Sequence, residues 1–391
     1  MNILILTNMF PPIRTGSSHY AADLAKVLFE SGNKVIVVTV KLKNYDPKVD
    51  AKFPFDVYRL PNIHLKFKAL FDFFTVTSIN LFNYIRVYRL IRRNQIQVIH
   101  QVSHYLDTAI LARIISMICR IPFVVSIHTQ LDFEKKIYKS ILNFIDRIIC
   151  GEFILRNSEK IISLDNEIIR YINNTYREKG IDNKCVIVPH GIEINNHHFA
   201  IKKNYQLSNL IVSVGHVINL RNRLDLIRAM KIIKKEFKEI KLEIIGRIYY
   251  LKTQELIDEL NLNDYVILRG ELSHEETLKR LMTADMNAVW ITGQYVGMGT
   301  AISESMLCGI PVVNNSPEEL LGTDKLKNFE NIVLVNNNSI DDIAEKIIWL
   351  LKNDERREQI GKAGRDFILE HMDIKKTKDM LLDIYSSVQR N

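Results

Sequence analysis

The chain has 391 residues, of which 47% are hydrophobic and 25% charged, and a formal net charge of +8. That length exceeds one ordinary core and suits two domains, and the composition excludes disordered, collagen-like and disulfide-stapled classes. The four cysteines, Cys119, Cys150, Cys185 and Cys308, have neither paired nor metal-type spacing and point to a reducing compartment.

The opening apolar run lacks a basic flank and stops at Pro11-Pro12, so no secretory leader is expected. The apolar stretch 110–127 is interrupted by Arg113, Arg120 and Pro122, so no membrane span is expected either. Charge is uneven: residues 1–200 carry 26 basic and 17 acidic side chains, and residues 41–100 carry 11 and 4. Such an excess suits an anionic partner, whether a membrane surface, an acidic acceptor or nucleic acid.

Residues 2–7 read as a buried strand, a helix runs to about Glu30, and a second strand follows at 34–40. Gly16 stands where strand feeds helix, with Ser17 and Ser18 as caps, so its N–H suits a phosphate; an ordinary turn glycine fits the same residues. Residues 63–93 are rich in aromatics and arginine. On helical spacing Leu81, Tyr84, Ile85, Tyr88 and Ile91 make an apolar face expected to be core, while Phe82, Arg86, Arg89 and Arg93 line another. With Lys66, Phe67, Lys68, Phe71 and Phe74 upstream, this second face suits an anionic bilayer; a solvated basic face is the alternative. No nucleic-acid recognition module accompanies the charge, so that partner is not expected.

Strands are predicted at 97–101, 122–127, 160–164 and 185–188, then, after a polar linker at 195–209, at 210–214, 242–245, 266–268, 286–290, 311–313 and 332–335. Helical stretches between them make both halves doubly wound parallel sheets. In such sheets ligands sit beyond the carboxyl ends of strands, the position of His128. Residues 288–313 form a strand, a loop with Gly293, Gly297 and Gly299, a helix opening near Ile302, and a strand after Gly309-Ile310-Pro311. Loop glycines and a helix start suit phosphate, and Glu304 just inside the helix suits the vicinal hydroxyls of a ribose.

Four motifs now stand in order: Val186-Ile-Val-Pro-His-Gly-Ile-Glu193, Val214-Gly-His-Val-Ile-Asn-Leu-Arg-Asn222, Leu268-Arg-Gly-Glu-Leu272 and Gly297-Met-Gly-Thr-Ala-Ile-Ser-Glu304 through Gly-Ile-Pro311. Together they resemble the family 4 retaining glycosyltransferases. The resemblance implies an α/β GT-B fold, two doubly wound Rossmann-like domains facing a central cleft. It places an acceptor-binding domain at 1–200, a nucleotide-sugar-binding domain at 201–372, and a helix at 373–391 that crosses back to the first domain.

The implied function is transfer from a nucleoside-diphosphate sugar to a glycan or lipid-linked acceptor, in the cytoplasm or peripherally at the cytoplasmic membrane face. No cofactor or metal is implied, and the chain has no Asp-x-Asp. His128, in a Ser-Ile-His-Thr that resembles the family's T-x-H-G/D, is assigned to sugar positioning, Arg221 to the diphosphate and Glu304 to the ribose. Gly16, Gly215, His216, Gly297, Met298, Gly299 and Thr300 border the donor, and the Arg269, Gly270 and Leu272 backbone reads its base. His216 takes the place of a family arginine, and Val296 that of the first glutamate of the E-x7-E motif. Those two departures give a second reading, a non-catalytic GT-B subunit that scaffolds an active transferase.

Overall fold

Short runs of branched apolar residues separated by amphipathic stretches produce a parallel sheet twice in this chain. The computed structural model describes residues 1–13, 16–43, 45–65, 74–104, 107–128, 140, 143–176, 180–194, 200–292, 297–323, 325–336 and 339–389. One unit comprises Met1–His190 with Ile374–Asn391, the other Gly191–Asp373. The division thus precedes residue 200, because the chain after His190 is held by the second unit. Ile192 donates its N–H to the Met372 carbonyl and packs, with Ile194, on the cluster containing Met306, Phe367 and Met372.

The first unit contains, in chain order, β1 (Asn2–Thr7), β2 (Lys34–Val40), β3 (Asp56–Leu60), β4 (Ile63–Leu65), β5 (Phe74–Val76), β6 (Val98–Val102), β7 (Phe123–Ile127), β8 (Lys160–Ser163) and β9 (Cys185–Ile187). Seven form one sheet in the order β3-β2-β1-β6-β7-β8-β9, and β4 pairs antiparallel with β5. The seven are all parallel, and Ile3 through Leu6 are fully buried, as a sheet covered on both faces requires. The order reverses between β1 and β6, so their carboxyl ends flank a topological switch point.

The helix Gly16–Glu30 buries Tyr20, Ala21, Leu24 and Leu28 in the same cluster as Leu381, Ile384 and Tyr385 of the helix Ile374–Val388. Thr377 Oγ1 donates to the Pro189 carbonyl at 3.0 Å, and Tyr385 OH meets His100 Nδ1 at 2.6 Å. The last helix is therefore part of the first core.

The helix Leu81–Asn94 corrects one expectation. It buries Asn83, Val87 and Ile91, whereas Leu81 is 75% exposed and Ile85 and Tyr88 lie on the surface. The cause is polar: Asn83 Nδ2 donates to the Pro61 and Thr77 carbonyls at 2.9 and 3.0 Å, which turns the 83, 87, 91 stripe inward. A buried amide with both bonds made outweighs the more apolar neighbouring stripe.

The second unit contains β10 (Leu210–Val214), β11 (Lys241–Ile245), β12 (Val266–Gly270), β13 (Met286–Ala288), β14 (Val312–Asn314) and β15 (Val333–Leu334), ordered β12-β11-β10-β13-β14-β15 and parallel throughout. The helix Arg223–Glu236 packs Leu226, Ile227, Met230 and Ile233 into its main core with Ile343, Ile347 and Leu350 of the helix Ile340–Leu351. Here the reversal lies between β10 and β13. The loops after those two strands carry the motifs that begin at Val214 and lead up to Glu304.

Candidate functional site

The loop after β10 is shaped by two glycines. Gly215 has φ +128°, and a Cβ there would lie 1.9 Å from Arg221 Nη1, so the arginine lies directly on the bare backbone. Gly246, after β11, has φ +147°, and its Cβ would meet the Gly215 carbonyl at 2.4 Å. Both backbones adopt the region that only glycine enters freely, and the two loops nest for that reason. Asn222, at φ 27°, closes the turn and caps the helix Arg223–Glu236 by accepting from the Asp225 N–H.

Arg221 and Arg223 form the electropositive centre of this loop. Arg223 is 3% exposed, its Nη2 donates to the Val214 and Gly215 carbonyls at 3.2 and 3.4 Å, and its Nε has no hydrogen-bond partner. Among the described residues no carboxylate pairs with either guanidinium. Burial lowers the pKa of both below the usual arginine value, and Arg221 adds to the effect at Arg223. His216 is exposed and accepts the Arg247 N–H at Nδ1, 3.3 Å away, with Tyr249 edge-on.

The loop after β13 is held by asparagines. Asn287 donates to Ser305 Oγ at 2.8 Å and accepts the Val214 N–H at 3.3 Å, while Asn315 exchanges bonds with the Ile291 backbone at 3.1 and 2.8 Å. The helix Thr300–Leu307 then starts at Gly299 with no side-chain cap and no acidic residue in its first turn. A Cβ on Gly299 would meet nothing within 4 Å, so packing does not demand this glycine. Gly297 and Met298 are half-buried and Thr300 is exposed.

Glu304 is half-buried and its Oε1 lies 3.3 Å from His274 Nε2. The carboxylate raises the His274 pKa, chiefly through that hydrogen bond. His274 opens a helix fixed by a capping box between Ser273 and Glu276. The base loop behaves less simply than its motif implies. The Arg269 side chain pairs with Glu243 on β11; Gly270, at φ +72°, accepts the Gly246 N–H at 2.7 Å, and Leu272 is half-buried. A cavity of about 350 Å³ lies beside it, lined by Arg269, Leu272, Glu276, Lys279 and Arg280. Its cations are already matched, Arg269 and Arg280 by Glu243 and Lys279 by Glu275.

In the first unit, His128 follows β7, with Nε2 2.9 Å from Ser126 Oγ and its ring 4.1 Å from that of Tyr20. Burial, with His190, His100 and His104 nearby, keeps its pKa well below the usual histidine value, so it is a neutral hydrogen-bonding group. Gly16 is exposed, and a Cβ there would meet nothing within 4 Å. Val296 lies outside the described residues, as do Lys66, Phe67, Lys68 and Phe71; Phe74 is described only as part of β5. Phe82 is 68% exposed and Arg86, Arg89 and Arg93 are exposed beside it.

Sequence reasoning brought out Gly215, Arg221 and Glu304, which the structure places at the carboxyl edge of one sheet. It missed Arg223, His274 and Asn287. A Gly-x5-Arg-Asn-Arg spacing ahead of a helix is the one signal that points to the first of them; nothing in the sequence marks the other two. Among the described residues no group of three His, Cys, Asp or Glu side chains is arranged to hold a metal, and no helix is long and apolar enough to cross a membrane.

The model for Glycosyltransferase Family 4 matches residues 14–196, and that for Glycosyl transferases group 1 matches residues 195–367. The chain belongs to the family 4 glycosyltransferases. This family 4 chain is 26% identical over 191 residues to the poly(ribitol-phosphate) alpha-N-acetylglucosaminyltransferase of Staphylococcus aureus (strain COL), covering 47% of this chain and 37% of that one. It is 24% identical over 254 residues to the uncharacterized glycosyltransferase MJ1069 of Methanocaldococcus jannaschii, covering 62% of each. It thus spans less than two thirds of the length of either relative. The crystal structure of Anabaena Alr3699/HepE in complex with UDP matches with a TM-score of 0.77 at 15% identity, covering 99% of this chain and 100% of that one. The likeness is one of fold, and the fold of this glycosyltransferase-family chain is GT-B, built on two parallel-sheet Rossmann-like domains.

Proposed function

We propose that the protein moves a sugar from a nucleoside-diphosphate donor to a hydroxyl of a glycan or lipid-linked acceptor, with retention at the anomeric carbon and without a metal. The observation that carries this reading is Arg221, laid on Gly215 at the switch point of the second sheet with no carboxylate partner among the described residues. A fixed cation there meets the charge that gathers on a departing diphosphate. The uncapped start of Thr300–Leu307 receives a phosphate oxygen, and Glu304 accepts ribose hydroxyls. The acceptor attacks on the face the diphosphate leaves, and the departing phosphate oxygen takes its proton, so no side-chain nucleophile takes part. His128 hydrogen-bonds the sugar in its neutral form. The Staphylococcus relative is named for transfer to poly(ribitol-phosphate), which favours a polymeric acceptor.

The scaffold reading draws on His216, whose ring is committed to the Arg247 amide and adds no fixed charge. One measurement separates the two. A ligand at one hundred times its Kd adds about 2.7 kcal/mol of stability. One of UDP, GDP, ADP, CDP and dTDP is expected to raise Tm by several degrees, and Glu304→Ala to remove that response. If no nucleotide shifts Tm at millimolar concentration, the scaffold reading takes its place.

We assign peripheral membrane contact at the cytoplasmic face to the helix Leu81–Asn94. Its first half exposes Leu81, Phe82 and Ile85 and its second half Arg86, Arg89, Arg92 and Arg93. Apolar insertion and attraction to anionic headgroups then act on one element. Vesicles with anionic lipid are expected to sediment the protein, and Leu81→Ser with Phe82→Ser to reduce the bound fraction severalfold. Equal sedimentation of wild type and double variant would remove the assignment.

A further inference from the structure

The family motif places an arginine where this chain has His216, and that histidine is exposed and turned to the Arg247 amide. A diphosphate site with one cation would be electrostatically poor, yet a second guanidinium lies in the same loop. Arg223 stands immediately after the motif, in the first turn of its helix, where a charged side chain ordinarily faces water. Here it is 3% exposed and donates to the carbonyls of Val214 and Gly215, the residues that lead into the loop. Its Nε is buried without a partner.

Two guanidinium groups close together, one buried and one half-buried, unmatched by acid, are costly for a protein at rest. An arrangement of that kind persists where an anion completes it. The surroundings agree: Gly215 and Gly246 strip the loop of side chains, and Arg221 lies on the bared backbone. We propose that Arg223 is the second fixed cation of the diphosphate site, a positioning residue that clamps the Val214 and Gly215 carbonyls and supplies, behind Arg221, the charge His216 does not. The proposal rests on the donor reading above and deepens it. It makes the departure at His216 a relocation of charge rather than a loss.

Inorganic pyrophosphate is the probe, because it tests the anion site without a base or sugar. Calorimetric titration of the full chain is compared for wild type, Arg223→Met and Arg223→Lys at low and high salt. Arg223→Met is expected to bind about tenfold more weakly, with affinity less sensitive to salt, because a long-range charge has gone. Arg223→Lys keeps the charge and is expected to stay within about threefold of wild type. A clamp that only shapes the loop predicts something else: both variants weaken equally and the salt dependence stays unchanged. That result overturns the proposal, as does unchanged binding by Arg223→Met. Should Arg223→Met fail to fold, the lysine variant decides: wild-type-like affinity and salt dependence support the charge, and loss of affinity in a folded Arg223→Lys refutes it. Pyrophosphate binding to a wild type that ignores every nucleoside diphosphate would sink the donor reading and leave the Arg223 site standing. Failure of wild type to bind either would remove both.

Discussion

Arg221→Met is expected to weaken nucleoside-diphosphate binding by about 10- to 100-fold, the range of one charge-assisted contact worth roughly 1.5–3 kcal/mol. The same change is expected to leave the ligand-free Tm unchanged or higher. The two effects have opposite signs for one reason. In the free protein the guanidinium is half-buried and unmatched by any carboxylate among the described residues, so it costs stability; with the diphosphate present it is the matched partner. A residue kept for packing would show the reverse, a lower Tm with affinity little altered. Calorimetric Kd and Tm on the same samples read both quantities. His216→Ala serves as the contrast, expected within about threefold of wild type, since that ring only accepts a backbone N–H and stands in water. A larger loss at His216 than at Arg221 would move the diphosphate elsewhere.

Acid is expected to destabilise the protein by at least about 3 kcal/mol between pH 7 and pH 5. His100 and His104 are fully buried in the first unit, and burial pushes both down to about 3. In the unfolded chain each titrates near 6.5. Between those values the unfolded chain takes up a proton that the folded one refuses. The stability is therefore complete above about 6.5 and drains away as pH falls toward 3, at roughly 2 kcal/mol per histidine by pH 5. Asp165 acts in the opposite sense. Burial raises its carboxyl to about 6, so protonation relieves it and returns about 1 kcal/mol over the same interval. His128 and His190 are lowered as well and add to the loss. Scanning calorimetry at the two pH values should show Tm falling by at least about 6 °C for a unit of this size. His100→Gln with His104→Gln should shrink the drop and leave the share of His128 and His190; persistence of the full drop in that variant would clear His100 and His104.

Most of the scaffold was legible because its signal is repetitive. Runs such as Leu210–Val214 have the length and branching of a doubly covered strand, and that strand falls on its predicted bounds. The helix predicted near Ile302 begins at Thr300, two residues earlier, because Gly299 is extended and acts as its cap. Periodicity misled at Leu81–Asn94, where hydrophobicity favoured one stripe and the bonds of Asn83 turned another inward. Hydropathy scales rank asparagine as polar wherever it stands, so a buried and satisfied amide is invisible to them. At the candidate donor site, Gly215 and Arg221 were legible by spacing. Arg223 was not, since an arginine in a first helical turn reads as surface until the loop that covers it is known. The pairing of Glu304 with His274 joins residues 30 apart in sequence and depends on two helix starts meeting.

The assignment of Ile374–Asn391 to the first unit bears on how the protein is made. Gly191–Asp373 is an uninterrupted run, so all of its parts have left the ribosome before the other unit has received its closing helix. Until then the cluster that holds Leu28, Ile5 and Val37 lacks Leu381, Ile384 and Tyr385. Synthesis from the amino end ordinarily lets the leading domain fold first. Here the Gly191–Asp373 unit is complete first, and the leading unit is closed only by a stretch translated after it.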